Sequence, residues 1–143
     1  SKASFFLAGS IEMGKAEDWQ KEIGSFLLGL GFAVFNPRRD DWDGTWEQKF
    51  DNPQFHQQVS WELNALDRAD HVVFYFSPGT QSPISLLELG LYAGSGKAFV
   101  VCPEGFWRKG NVEVVCEKYD IILFESLLEF KNHMSALSWS VRN

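Results

Sequence analysis

Two kinds of stretch alternate along the chain: short apolar runs, and longer segments in which apolar residues return every three or four positions. Ser4–Ala8 (SFFLA) is a run of the first kind, closed by Gly9 and Ser10. Lys15–Leu30 is of the second kind. There Trp19, Ile23, Phe26, Leu27 and Leu30 fall on one stripe, as in a helix with one buried face, and Gly31 supplies a stop. Phe32–Phe35 (FAVF) predicts a second strand, closed by Asn36-Pro37. Positions 38–52 are polar and rich in Asp and Trp, a loop long enough in a small domain to carry function. Phe55–Arg68 reads as a helix with Val59, Leu63 and Leu66 inward. His71–Phe76 (HVVFYF) reads as a central parallel strand covered on both faces. A turn-rich loop follows at Ser77–Pro83, then a helix over Ile84–Ala93 and a strand over Ala98–Cys102. A short helix over Asn111–Lys118, a strand over Ile121–Phe124 and a helix over Glu125–Leu137 close the chain.

Strand and helix alternate five times over 143 residues, a length that fits one domain spanning 1–143. The expected fold is α/β: a single-domain, five-stranded parallel sheet with helices on both faces, Rossmann or flavodoxin-like. In such sheets the ligand sits outside the carboxyl ends of the strands, where the strand order reverses. The loops Gly9–Lys15, Asn36–Asn52 and Ser77–Pro83 all follow strands, so they are expected at one rim.

One residue breaks the pattern near that rim. In SPISLLELGLYAGSGKAFVV (Ser82–Val101), Glu88 stands between Leu86-Leu87 and Leu89-Gly90. Carboxylates are rarely buried unless paired. Near the start of its helix, Glu88 is expected to stay ionised in the field of the helix dipole. An ionised carboxylate among apolar residues is poised to attack an electrophilic carbon or to hold a developing cation. The alternative is a structural acid bonded to the amides of Gly9 and Ser10.

Composition narrows the chemistry. The net charge is −6 and no basic run appears, which argues against a nucleic acid polymer as partner. The aromatic share is high, 6 Trp, 13 Phe and 3 Tyr, and serves the core, a stacking site or a subunit interface. Cys102 and Cys116 make neither a disulfide framework nor a metal site. The first loop, AGSIEMG, lacks the spacing of a dinucleotide or Walker fingerprint, and no Ser–His–Asp set is apparent. No metal or other cofactor is called for. Without a signal-like start or an apolar run of about 18 residues, the chain reads as cytoplasmic and not membrane-bound.

Four pieces, in order, resemble the nucleoside 2-deoxyribosyltransferases and the related deoxynucleotide N-glycosidases. They are FLAGSI (Phe6–Ile11), NPRRDDWD (Asn36–Asp43), ADHVVFYF (Ala69–Phe76) and LLELGLYAGSGKAFVV (Leu86–Val101). The last, with its ELG core, is the most specific. The resemblance implies that Glu88 is the nucleophile. It would attack C1′ of a 2′-deoxynucleoside and give a covalent deoxyribosyl-enzyme, which a second base or water resolves with retention, as in nucleotide salvage. The partners implied are a nucleoside or nucleotide and a free nucleobase, and the resemblance also implies a homo-oligomer.

Glu62, on the helix before the AD strand, matches the family's acid that serves the leaving base; its alternative is a solvated surface Glu. Gly9, Ser10 and Ile11 fall on the sugar or phosphate. Asp40, Asp41 and Asp43 are rival base-contacting acids or an acidic surface loop. Trp42 and Trp46 beside them are a stacking lid or loop anchors. One departure matters. The transferases carry an Asp six residues before the nucleophile, and this chain has Ser82. The nucleotide-hydrolysing relatives carry Ser near that position, against the 5′-phosphate. Ser82, with Ser10 and Ser85, thus stands for a phosphate or sugar contact, or Ser82 caps the helix that Pro83 opens. Transferase, nucleoside monophosphate N-glycosidase and a non-catalytic nucleotide-binding module all remain open.

Overall fold

The computed structural model describes residues 2–10, 18–37 and 47–142. The strands are β1 (Ser4–Gly9), β2 (Ala33–Phe35), β3 (His71–Tyr75), β4 (Ala98–Val101) and β5 (Leu123–Phe124). The helices are α1 (Trp19–Gly29), α2 (Pro53–Arg68), α3 (Pro83–Tyr92), α4 (Lys109–Lys118) and α5 (Leu127–Arg142). The strands form one parallel sheet in the order β2-β1-β3-β4-β5. The order reverses between β1 and β3, whose register sets Phe5 beside His71, Leu7 beside Val73 and Gly9 beside Tyr75.

The period-two alternation of the strands divides the core. Phe6, Ala8, Val72, Phe74 and Val100 face Leu66, Leu89 and Val112 of α2, α3 and α4. Phe5, Leu7, Val73, Tyr75 and Val101 face Trp19, Ile23, Leu27, Phe130 and Met134 of α1 and α5. The strands are apolar on both sides because helices cover both sides.

Several boundaries differ from the periodicity. Helix α2 starts at Pro53 rather than Phe55, because the Asn52 side chain accepts the amides of Gln54 and Phe55 at 3.1 and 3.2 Å. Helix α1 is described from Trp19, capped by Asp18, which accepts the Lys21 amide at 3.1 Å. Helix α4 opens two residues early, at Lys109, and α5 runs on to Arg142. Leu63 is not inward. It is 38% exposed and flanks α2, while Ala65 and Leu66 face the sheet. No helix among the described residues is long and apolar enough to cross a membrane.

His71 opens β3 with its ring against Phe5 and Phe99, at centroid distances of 4.9 and 5.8 Å. Burial holds its pKa below the ordinary 6.5, and Lys97 adds to this while Asp70 opposes it. A depressed imidazole contributes stability that is present above about pH 6.5 and lost as pH falls through the folded value. The His71→Phe variant is therefore expected to gain on the wild type as the solution is acidified below about pH 6.5. Urea midpoints of the two proteins, compared at each pH, check this; a constant difference refutes it.

Candidate functional site

The rim at the carboxyl ends of β1 and β3 is built around small residues. A Cβ on Gly9 would lie 2.4 Å from the Trp19 ring, so the indole itself demands glycine there. Trp19 also packs on Tyr75 at 5.2 Å between centroids. The indole N–H of Trp19 is buried with no hydrogen-bond partner among the described residues. Sequence reading took Trp19 as core alone, and periodicity carries no signal for an unmet donor. Ser10, next to Gly9 in the chain, is buried. Ile11, Asp40, Trp42 and Asp43, with Asp41 and Trp46, lie outside the described residues.

The loop after β3 is held in an unusual backbone form. Ser82 sits at φ 49° and ψ 51°, the left-handed region, and is 2% exposed. Its hydroxyl shares a 2.8 Å hydrogen bond with Thr80, whose own hydroxyl donates to the Ser77 carbonyl at 2.8 Å. Ser82 thus donates to Thr80 and does not cap α3 by its side chain, contrary to one sequence expectation. Pro83 does stand at the first helical turn, as expected. The β4–α4 loop braces this segment: the Trp107 indole donates to the Gln81 carbonyl at 2.9 Å, and Phe106 packs on Phe76 at 4.9 Å. The first amides of α3 are left without a side-chain cap, above a buried Ser85.

One turn further, Glu88 faces inward and is 7% exposed. It has no hydrogen bond or ion pair among the described residues, so the alternative of a structural acid tied to the Gly9 and Ser10 amides does not hold. Glu62 faces the same layer from α2, and the Gln58 side chain donates to it at 3.1 Å. Burial raises the Glu62 pKa above 4.5, and the Gln58 hydrogen bond only partly offsets this. Burial and then the charge of Glu62 push Glu88 up to about 8. The expectation of an ionised Glu88 is corrected: burial and the neighbouring acid favour its protonated form at neutral pH. The helix dipole does not prevail, because Glu88 lies beyond the first amides and a second acid stands near it.

Among the described residues no cation shifts the titration of this pair. Lys97 donates to the carbonyls of Leu66, Asp67 and Ala69, closing the C-terminal end of α2. Lys109 is engaged by Glu104 and Glu125. Gly96, in the left-handed region at φ 80°, turns the chain so that Lys97 reaches those carbonyls. The Tyr92 hydroxyl, one turn after Glu88, donates to Asp67 of α2. Together Tyr92 and Lys97 fasten α3 and its exit to the helix that carries Glu62. The GSGK piece of the sequence has this structural meaning.

Beside Glu62, Asn36, Pro37, Gln57, Gln58 and Trp61 line a cavity of about 400 Å³. Carboxamides and an indole suit the polar edge and flat face of a heterocycle. Sequence reading passed over the α2 residues, because Gln57 and Gln58 look like a solvated helix face. Among the described residues no cluster of His, Cys, Asp and Glu fits a metal ion.

A family model described as nucleoside 2-deoxyribosyltransferase like matches residues 2–106. Among solved structures, the 2-deoxyribosyltransferase from the psychrotolerant bacterium Bacillus psychrosaccharolyticus superposes with a TM-score of 0.62. The match covers 91% of each chain at 20% identity, a likeness of fold. No curated protein matches the chain.

The raised Glu88 has a cost that can be measured. A carboxyl whose folded pKa is raised contributes full stability below its unfolded value of about 4.5. It loses that stability as pH rises through about 8. Glu88→Gln is expected to match the wild type near pH 4 and to exceed it by roughly 2–4 kcal/mol above pH 8. Chemical denaturation across that range checks the sign, and a pH-independent difference refutes it.

Proposed function

We propose, from the premise that the chain belongs to the nucleoside 2-deoxyribosyltransferase-like family, that it cleaves or transfers at the N-glycosidic bond of 2′-deoxynucleosides. Glu88 is the nucleophile and Glu62 the proton partner. The observation that carries this reading is a buried and a half-buried acid on neighbouring helices, with no cation among the described residues acting on either.

The reactive form has Glu88 ionised and the pair's proton on Glu62. A Glu88 oxygen bonds to C1′ as the C1′–N bond breaks. The electron pair leaves with the base nitrogen, which takes the proton from Glu62. In the second half, water or another base attacks C1′ and yields its proton to Glu62, and Glu88 departs as a carboxylate. Two inversions give net retention, as in retaining glycosidases. The cavity of Asn36, Gln57, Gln58 and Trp61 adjoins Glu62, where the leaving base would sit. Gly9 and Ser10 fall to the sugar side, with Trp19 offering a buried donor there.

A second reading, a deoxynucleoside 5′-monophosphate N-glycosidase, draws on α3. Its uncapped first amides and buried Ser85 suit an anion. Ser82 would shape this loop rather than donate to the phosphate, since its proton goes to Thr80.

A chromatographic assay separates these readings. It takes a panel of 2′-deoxynucleosides and their 5′-monophosphates, with and without a second free base. Exchange into a new nucleoside indicates transfer, and free base alone indicates hydrolysis. Strict dependence on the 5′-phosphate selects the second reading, and binding without turnover selects a non-catalytic module. Glu88→Ala is expected to abolish base release with an unchanged circular dichroism spectrum; retained activity removes Glu88 as nucleophile.

The pH profile tests the pair. The kcat/KM of the wild type is expected to fall above about pH 8, where the pair loses its last proton. In Glu62→Gln the like charge is gone, so this alkaline limb should vanish, with the rate down about 10²–10⁴-fold. An alkaline limb that survives Glu62→Gln unchanged contradicts the shared proton.

A further inference from the structure

The loop between β4 and α4 is built onto the loop that precedes α3. A Cβ on Gly105 would lie 3.3 Å from Pro78, so the two loops approach closely there. Phe106 packs on Phe76, and the Trp107 indole donates to the Gln81 carbonyl at 2.9 Å. Trp107 is nevertheless 53% exposed, so the hydrogen bond, more than burial, fixes its ring. It stands beside Gln81, one residue before the left-handed Ser82 and two before α3. Trp107 and Arg108 lie just past the stretch that the family model matches.

The ring of Trp107 carries Arg108. The guanidinium lies 4.4 Å from the ring centroid, and the residue is exposed. Its side chain makes no ion pair among the described residues, and Glu104, four residues before it, is taken by Lys109. A guanidinium stacked on an indole is a cation held in one place, with its donors turned outward in a fork.

An anion at the start of α3 needs such a group. The first amides of α3 have no side-chain cap. Ser85, third in the helix, is 4% exposed, and its hydroxyl has no hydrogen bond among the described residues. Helical side chains tilt toward the N-terminus, so Ser85 leans into that same uncapped turn. A helix end supplies roughly half a positive charge, against nearly two negative charges on a phosphate. The same rim holds Glu62 and Glu88, and the whole chain carries a net charge of −6. Lys97 and Lys109 are engaged elsewhere.

We propose that Arg108, held by Trp107, is the specificity-determining residue for the 5′ end of the substrate. Its guanidinium meets a 5′-phosphate seated on the first amides of α3 and on Ser85. This rests on the second reading of the site, in which the substrate is a 2′-deoxynucleoside 5′-monophosphate, and it names the side chain that separates that substrate from the nucleoside. Trp107 is a positioning residue: it ties Arg108 to Gln81 and so to the turn at Ser82.

Isothermal titration calorimetry in the Glu88→Ala background, chosen to stop turnover, compares 2′-deoxynucleosides with their 5′-monophosphates. The monophosphates are expected to bind at least about tenfold more tightly, and less so as salt is added. Arg108→Ala is expected to remove most of that advantage and to leave nucleoside affinity unchanged. Arg108→Lys retains only part of it, because an ammonium neither stacks as a plane nor offers a fork. Trp107→Phe, which keeps a ring but loses the indole N–H, is expected to fall between; a Trp107→Phe protein equal to its parent removes Trp107 as the positioning residue. A loss in Arg108→Ala shared by nucleosides and monophosphates marks a structural role and overturns the proposal. So does an undiminished preference for the monophosphates. Equal binding of both classes with Arg108 in place overturns it and leaves the nucleoside reading standing, whereas binding of neither removes both.

Discussion

Two neighbouring carboxyl groups, Glu88 buried and Glu62 half-buried, with no cation among the described residues acting on them, set the terms for this molecule. Taking one carboxylate out of water is unfavourable, and taking a second beside it is worse, because each opposes the ionisation of the other. Glu88 pushed up to about 8 is the record of that conflict. The fold has to hold the pair against its own repulsion. It does so through the strand order β2-β1-β3-β4-β5, which places α2 and α3 on one face of the sheet. The Tyr92–Asp67 hydrogen bond and the three carbonyls that Lys97 gathers at the end of α2 then tie those helices together. Lys97 is engaged with backbone oxygens and does not act on the acids.

Much of this was legible in the sequence because hydrophobic period is a local property. The five strands, the helices between them and the misfit of Glu88 among leucines all follow from residue spacing. What was not legible depends on backbone geometry or on neighbours distant in the chain. Ser82 followed by Pro83 has the composition of a helix cap, yet a left-handed backbone turns its hydroxyl to Thr80. Leu63 fits the inward stripe of α2 by spacing, yet it is 38% exposed. The protonation of Glu88 was read from its own helix dipole, whereas the deciding neighbour, Glu62, comes from another helix, and strand order is not written in either segment. Gln58, which holds Glu62, gave no signal at all, since a glutamine on an amphipathic helix is ordinary.

Gly9 shows the same limit from the other side. A glycine after a first strand suggests close approach by a ligand, and that motif formed part of the family resemblance. In the structure Gly9 is required by the Trp19 ring, with which any side chain would collide. The indole occupies the space that the glycine provides, and its buried N–H has no partner among the described residues. The glycine therefore acts on the site through the tryptophan it admits.

Helix α3 joins these threads. Its sequence, PISLLELGLY, is apolar almost throughout, which would suit a helix buried on all sides. Only Ser85, Glu88 and Leu89 of it are buried, and one of those is an acid that weakens the fold at neutral pH. Its middle glycine weakens it again. A ten-residue helix with these handicaps is marginal alone. Burying Glu88 on its inner face costs the helix stability at neutral pH, and the hydrogen bond of Tyr92 to Asp67 and the packing of Leu89 in the core work against that cost.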